Sequence, residues 1–273
     1  MLKRIMLGLL AVSSIAMAAD GMQSAASSAA MAKETASSEK GFFYVAKNFQ
    51  EVAAVPGFTM SAPAGLVPGS GVIFGGISGT YNDAEHADGA MGFGFGYGNP
   101  YETVGGAVSL SLGSINPDDG GAFNRGAVNL SVGHTFAEYG IGVAAGMTGA
   151  TVWHDNGDDE LDPSFYAAAS KLLPNDVAPV ILTAGFGNNA YADTNSSGDK
   201  KDKVYPFVSG AVYILPQVSL IADYTSGVTS VGIGVVPFPT IPVTLTMGAY
   251  DIAKQGSQDT TSFIGSISAA YVF

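Results

Sequence analysis

The residues best suited to chemistry lie in one acidic run near the middle of the chain. His154 precedes a series of carboxylates at Asp155, Asp158, Asp159, Glu160 and Asp162. Carboxylate oxygens are preferred Ca²⁺ ligands, so these five acids are candidate Ca²⁺ ligands. Their spacing is not that of an EF-hand loop. The pattern therefore favours a solvated acidic loop over a metal site.

Catalytic groups are sparse elsewhere. His86 and His154 fall in predicted loops, and His134 falls on a predicted strand. No serine stands at a spacing that would pair it with a histidine, and the sequence has no cysteine and no phosphate-loop or zinc motif. We therefore expect no enzymatic activity and no cofactor, with a hydrolase built around His154 as an alternative.

The composition points to a surface that is not wholly in water. Hydrophobic residues make up 47% of the 273 residues, while charged residues make up only 12%. Soluble domains usually carry about twice that charged fraction. The formal net charge of −12 also argues against a nucleic-acid partner, because phosphate binding needs clustered Lys and Arg.

The first 68 residues divide into three segments. Residues 1–18 predict a signal peptide, with Lys3 and Arg4 ahead of an apolar stretch and small residues around a cleavage point. Residues 19–40 are rich in Ala and Ser and predict a periplasmic linker. Residues 41–68 contain several aromatic residues and prolines. We interpret them as a structured lead-in, preferably a strap and alternatively a partial plug of a lumen.

From residue 69 to residue 273 the sequence alternates with a period of two. Val128, Leu130 and Val132, for example, alternate with Asn129, Ser131 and Gly133. The polar face is small and almost uncharged, which suits the interior of a barrel whose outside meets lipid. The pattern predicts an all-β, transmembrane, antiparallel up-and-down barrel of about twelve strands. Those strands are predicted near 70–82, 89–98, 103–115, 124–136, 139–151, 163–172, 178–189, 204–214, 217–225, 228–236, 241–251 and 261–273.

The predicted connections alternate between long polar segments and short turns. Such barrels have long external loops and short periplasmic turns. The short turn Ser226–Gly227 is an exception, since it stands where a long loop is expected. Aromatic residues near the strand ends, including Trp153 and Tyr191, predict interfacial girdles.

The last strand resembles the C-terminal signature of bacterial outer-membrane proteins. Its fitting residues are Phe273, Tyr271, Ile267 and Phe263, whereas Gly265 departs from the pattern. The resemblance implies a bacterial outer-membrane location and recognition by the outer-membrane assembly machinery. It also implies contact with outer-membrane lipids and lipopolysaccharide.

The lumen face offers few candidates for function. Asp223 is predicted to point inward from the middle of a strand, Arg125 lies at the outer end of another, and Tyr250 could narrow the lumen. We expect Asp223 to meet water or a partner such as Arg125, because an unpaired buried carboxylate is costly. These pore-lining candidates and the acidic loops predict a narrow, passive, weakly cation-preferring pore for small solutes. The alternatives are a structural or surface-loop interaction barrel without transport and a secreted soluble β-sandwich.

Overall fold

A computed structural model describes residues 53–81, 87–113, 115, 122–154, 162–175, 177–193, 203–256 and 260–273. The predicted signal peptide and linker lie outside these residues, as does the lead-in before residue 53. Within the described residues, no helix is both long and apolar enough to cross a membrane.

The described residues form a closed barrel of twelve antiparallel strands. Each strand pairs with its neighbours in sequence, and β1 pairs with β12 over ten residue pairs to complete the ring. The strands are Val72–Tyr81 (β1), Asp88–Gly98 (β2), Gly105–Gly113 (β3), Arg125–Phe136 (β4), Ile141–His154 (β5), Ser164–Leu173 (β6), Val180–Gly187 (β7), Tyr205–Leu215 (β8), Val218–Thr225 (β9), Val228–Val235 (β10), Val243–Tyr250 (β11) and Ser262–Val272 (β12). The prediction of fold class and strand number is confirmed.

The wall alternates between an exposed apolar face and a buried face of small polar residues. Leu130 is 42% exposed while Ser131 is 2% exposed, and Ile267 is 48% exposed while Ser268 is 4% exposed. A closed barrel satisfies every strand hydrogen bond within its own wall, which is the condition for strands to cross lipid. With its outward apolar belt, this is the architecture of a transmembrane barrel of the bacterial outer membrane.

The two ends of the barrel differ in their connections. At one end, which we call the turn end, the connections span residues 99–104, 137–140, 174–179, 216–217 and 236–242, and the chain terminates at Phe273. A 3₁₀ helix, Ala137–Tyr139, forms one of these turns. The opposite end, which we call the loop end, carries the longer connections and a second 3₁₀ helix, Asn189–Tyr191.

The short turn at Ser226–Gly227 is the exception that the sequence indicates. Ser226 has φ +58° and Gly227 has φ +80°. Two consecutive positive φ angles are typical of the type I′ turn, whose twist matches that of paired strands. The turn therefore joins β9 to β10 without a long loop.

Candidate functional site in the barrel lumen

Residues 53–68, which we call the lumen segment, lie inside the barrel. The segment enters at the turn end, where the Ala53 N–H donates to the Pro239 carbonyl at 2.7 Å. It rises to an apex at Met60–Ala62 and then descends to the turn end. There the Ser70 N–H donates to the Gly98 carbonyl at 2.8 Å, just before β1 begins. Between these points the segment contacts inward side chains of the wall.

The apex is bound to the wall through Asp223 on β9. The backbone N–H groups of Met60, Ser61 and Ala62 all donate to Asp223 Oδ2, at 2.7, 2.8 and 3.2 Å. The Ser209 hydroxyl donates to the other carboxylate oxygen, Oδ1. A buried carboxylate is costly unless its oxygens are hydrogen-bonded. The three successive N–H groups and the hydroxyl supply those bonds.

On one side of the lumen the segment packs into an apolar core. Val55, Phe58 and Leu66 are fully buried in it. The wall residues of this core are Leu172, Ile181, Ala211, Tyr213, Ile221 and Ile264. Polar contacts add to the packing, since the Ser219 hydroxyl donates to the Gly57 carbonyl and the Gly65 N–H donates to Ser170 Oγ at 2.9 Å. Except for Ile264 on β12, which borders the cleft described next, these wall residues lie on β6–β9. We call the inward face of β4–β10 the filled side.

A cleft remains beside the apex on the other side of the lumen. It is lined by Met60, Ser78, Gly79, Thr80, Thr246, Ile264, Gly265 and Ser266. We call this part of β1, β11 and β12 the open side. None of the eight lining residues is charged, and hydroxyl groups supply most of the polar surface. The cleft can therefore hold water, but it offers no fixed charge to bind an ion.

The cleft does not continue to the turn end in the described structure. Val72, Phe74 and Ala270 are buried there in an apolar cluster, and Ser268 and Thr244 are buried beside it. The lumen is thus packed in its turn half and partly open in its loop half.

The pore-lining candidates do not form one site. Asp223 points inward from mid-strand as predicted, but the predicted partner Arg125 is wrong. The Asp223 carboxylate is bound by the lumen segment and Ser209. Arg125 lies instead at the loop end of β4, paired in register with His154. Tyr250 lies at the loop end of β11, half-buried against the apolar core of the filled side.

The other candidates are only partly within the described residues. Asp155, Asp158, Asp159 and Glu160 lie outside them, as does His86, while Asp162 is exposed just before β6. Within the described part of the chain, no group of three or more His, Cys or acidic side chains is placed to hold a metal ion. The Ca²⁺ site stays a prediction.

The four residues of the terminal signature share one orientation. Phe263, Ile267, Tyr271 and Phe273 are all exposed on the outer face of the barrel. The rings of Tyr271 and Phe273 stack with their centroids 6.4 Å apart. This surface is accessible to another protein, and its role in assembly stays a prediction.

The assignment of Tyr191 to an interfacial girdle is wrong. Its side chain is 1% exposed and packs inside the barrel, with ring centroids 5.9 Å from Tyr166 and 5.8 Å from Phe207. The cause is the 3₁₀ helix Asn189–Tyr191, which turns the chain inward after β7. Because this helix lies outside any strand, alternation could not reveal its direction.

The sequence analysis also missed the apex residues Met60, Ser61 and Ala62. They act through backbone N–H groups, which every residue except proline carries, so residue type gives no signal. The one available hint was that the region from 41 to 68 combines aromatics and prolines ahead of the first strand.

Two outer-membrane proteins of known structure resemble this chain. An outer-membrane channel from Pseudomonas putida F1 aligns with a TM-score of 0.42 and 13% identity, covering 75% of this chain and 96% of that one. Outer membrane phospholipase A from Escherichia coli aligns with a TM-score of 0.42 and 11% identity, covering 74% and 92%. No protein family and no curated protein matches the sequence.

Proposed function

We propose that this barrel is a narrow, passive, weakly cation-preferring pore for small solutes, closed in the described conformation by the lumen segment. The observation that carries the proposal is the cleft beside the apex, because its uncharged, hydroxyl-bearing wall continues the polar inner face of the barrel. Conduction then requires the segment to move away from part of the lumen.

The charge distribution supports the preference for cations. The sequence has 23 acidic residues against 11 basic ones. Among the described inward-facing residues away from the strand ends, Asp223 is the charged one. A negative potential at a pore concentrates cations and disfavours anions. Since the cleft itself is uncharged, the preference is expected to be weak.

Packing on the filled side sets how often the pore opens. Burial of Val55, Phe58 and Leu66 stabilises the inserted segment by about 1.5–3 kcal/mol for each side chain. Complete withdrawal is therefore rare. Displacement of the apex alone disturbs far fewer apolar contacts, so openings are expected to be brief and to involve the apex.

An engineered disulfide tests this proposal directly. A Cβ at position 57 would lie 3.7 Å from Thr246 Cβ, within the roughly 3.5–4.5 Å range of disulfides. The chain has no native cysteine to compete. In planar bilayers the oxidised G57C/T246C variant should be silent, and reduction should restore the single-channel events of the wild type.

The single variants G57C and T246C are the matched controls, because each changes one side chain without joining the segment to the wall. Both should conduct equally before and after reduction. Equal conductance of oxidised and reduced G57C/T246C would contradict gating by the segment. A wild type that never conducts would contradict the pore itself.

The second candidate is a structural or surface-interaction barrel without transport. The apolar core between the lumen segment and the wall favours it, since such a core stabilises a permanently filled barrel. In that case wild type and reduced G57C/T246C would both be silent. We propose no enzymatic role in either case, and we propose that lipid and lipopolysaccharide contact the outer belt and loops.

A further inference from the structure

Asp223 is the one charged group that faces the apex of the lumen segment within the described structure. Residues 53–68 contain no ionisable side chain. The inward residues of β9 and β10 are uncharged apart from Asp223, and those of β8 add only the tyrosines Tyr205 and Tyr213. The attraction between the Asp223 carboxylate and three N–H groups is therefore the ionic component that holds the apex.

Hydroxyl residues surround Asp223 on the wall, and several of them lack a hydrogen-bond partner in the closed conformation. Ser209 and Ser230 lie directly opposite Asp223 on the neighbouring strands. The hydroxyls of Ser230, Thr225 and Ser61 are buried without a hydrogen-bond partner in the described structure. Buried hydroxyls without partners are uncommon and costly. Water entering after the apex moves away would hydrate these hydroxyls and the carboxylate together.

We infer that Asp223 has two roles, as the latch that holds the lumen segment closed and as the group that selects cations once the apex has moved. In the closed state both carboxylate oxygens accept hydrogen bonds, which come from Met60, Ser61, Ala62 and Ser209. In the open state it faces the lumen from mid-strand with its charge uncovered. The second role rests on the proposed pore, whereas the first does not.

Asparagine at position 223 separates charge from shape. It keeps the size of the side chain but replaces one carboxylate oxygen with an amide that donates rather than accepts. Hydrogen bonds to a charged acceptor are roughly twice as strong as neutral ones. The N–H groups of the apex would then lose a charged acceptor, and the lumen would lose its mid-strand charge.

Ser209→Ala is the matched control variant. It removes the hydroxyl that donates to Asp223 Oδ1 and that also lies 3.1 Å from the Phe58 carbonyl oxygen, but it leaves the carboxylate and its three backbone donors in place. It should loosen the latch slightly without altering the charge of the lumen. Both variants should therefore increase opening of the segment, but only D223N should reduce the preference for cations.

Opening can be measured without any conductance. Ser61→Cys places a thiol at the apex, where the native hydroxyl has no hydrogen-bond partner to lose. In outer-membrane vesicles, a small membrane-impermeant maleimide should label S61C slowly. Labelling of S61C/D223N should be at least about tenfold faster, and that of S61C/S209A should be faster by a smaller factor.

Ion selection is then measured in bilayers under a salt gradient. The reversal potential of D223N should fall towards zero, whereas that of S209A should stay at the wild-type value. Retention of heat-modifiable gel mobility shows that each variant is still a folded barrel.

The outcomes separate the two roles. Equal labelling rates of S61C and S61C/D223N would overturn the latch. Unchanged cation preference in a conducting D223N pore would overturn the selection role while leaving the pore proposal intact. If the wild type never conducts, the selection role falls together with the proposed pore. The difference in labelling between S61C and S61C/D223N is still expected, because the latch does not depend on conduction.

Discussion

The two sides of the lumen have the same kind of wall and opposite environments. Ser170 and Ser209 on the filled side are almost completely buried, whereas Ser78 and Thr80 on the open side are half-buried. Both pairs are small hydroxyl residues that point inward from a strand. The difference therefore comes from the lumen segment, which covers one side and leaves the other. The filling of the lumen thus depends on 16 residues, 53–68, that belong to no strand.

Two glycines in the wall give the apex of the lumen segment room between the filled and open sides. Gly232 and Gly248 are register partners on β10 and β11, and a Cβ at either would lie within 2.6 Å of an atom of Met60. The pair leaves room for the Met60 side chain at the apex.

Among substitutions that compare the filled and open sides, Phe58→Ala is expected to lower the stability of the barrel most. Phe58 is fully buried between the segment and the wall, and truncating a buried Phe typically costs about 3–5 kcal/mol. The unboiled, folded gel band should disappear at a markedly lower temperature than in the wild type. Thr80→Ala on the open side is the control and should change stability by less than about 0.5 kcal/mol. Equal behaviour of the two variants would show that the segment adds little to the barrel.

A smaller effect is expected from Gly65→Ala. A Cβ at this position would lie 2.4 Å from the Ser170 N atom and 2.5 Å from the Gly142 carbonyl oxygen, both in the backbone of the wall. Overpacking of this kind costs about 1–3 kcal/mol, because the segment must move away from β5 and β6. Chemical denaturation in detergent should show the loss. Gly265→Ala is the control without a clash, because Gly265 lies on the outer face of β12 and a Cβ there would meet only the Thr246 carbonyl oxygen at 3.8 Å. A loss of the same size there would contradict the account.

The smallest effect is expected from Tyr191→Phe at the loop end. The Tyr191 hydroxyl lies 3.2 Å from Thr148 Oγ1, and both groups are buried. Removing one such hydrogen bond costs about 0.5–1.5 kcal/mol while leaving the ring packing intact. Tyr224→Phe on the exposed outer face is the control, and the same denaturation measurement should find it closer to the wild type.

Alternation predicted the wall well because a barrel strand has one apolar and one polar face along its whole length. The strands begin and end within about three residues of their predicted limits, as β4 shows, with 124–136 predicted and Arg125–Phe136 observed. The alternation also predicts correctly that Asp223 lies on the inner face. These features follow from the alternation of apolar and polar residues within each strand, which can be seen in the sequence itself.

The contents of the lumen could not be predicted in the same way. The lumen segment has no repeating pattern, and its hydrogen bonds reach residues more than 100 positions away, such as Ser170 and Asp223. Parity likewise gave the direction of Asp223 but not its partner, because the donors are backbone groups. Charge alone indicates Arg125 as the partner, whereas in the structure backbone N–H groups donate to the carboxylate instead.

The most direct test of a lumen with one filled and one open side is cysteine accessibility at two matched positions. Ser78→Cys lies on the open side and Ser230→Cys on the filled side, and both replace small inward-facing hydroxyls. With a small, membrane-impermeant thiol reagent, we expect S78C in the folded barrel to be labelled about a hundredfold faster than S230C, which is sealed by packing. Equal labelling rates would mean that the lumen segment does not occupy the barrel, and would contradict the account.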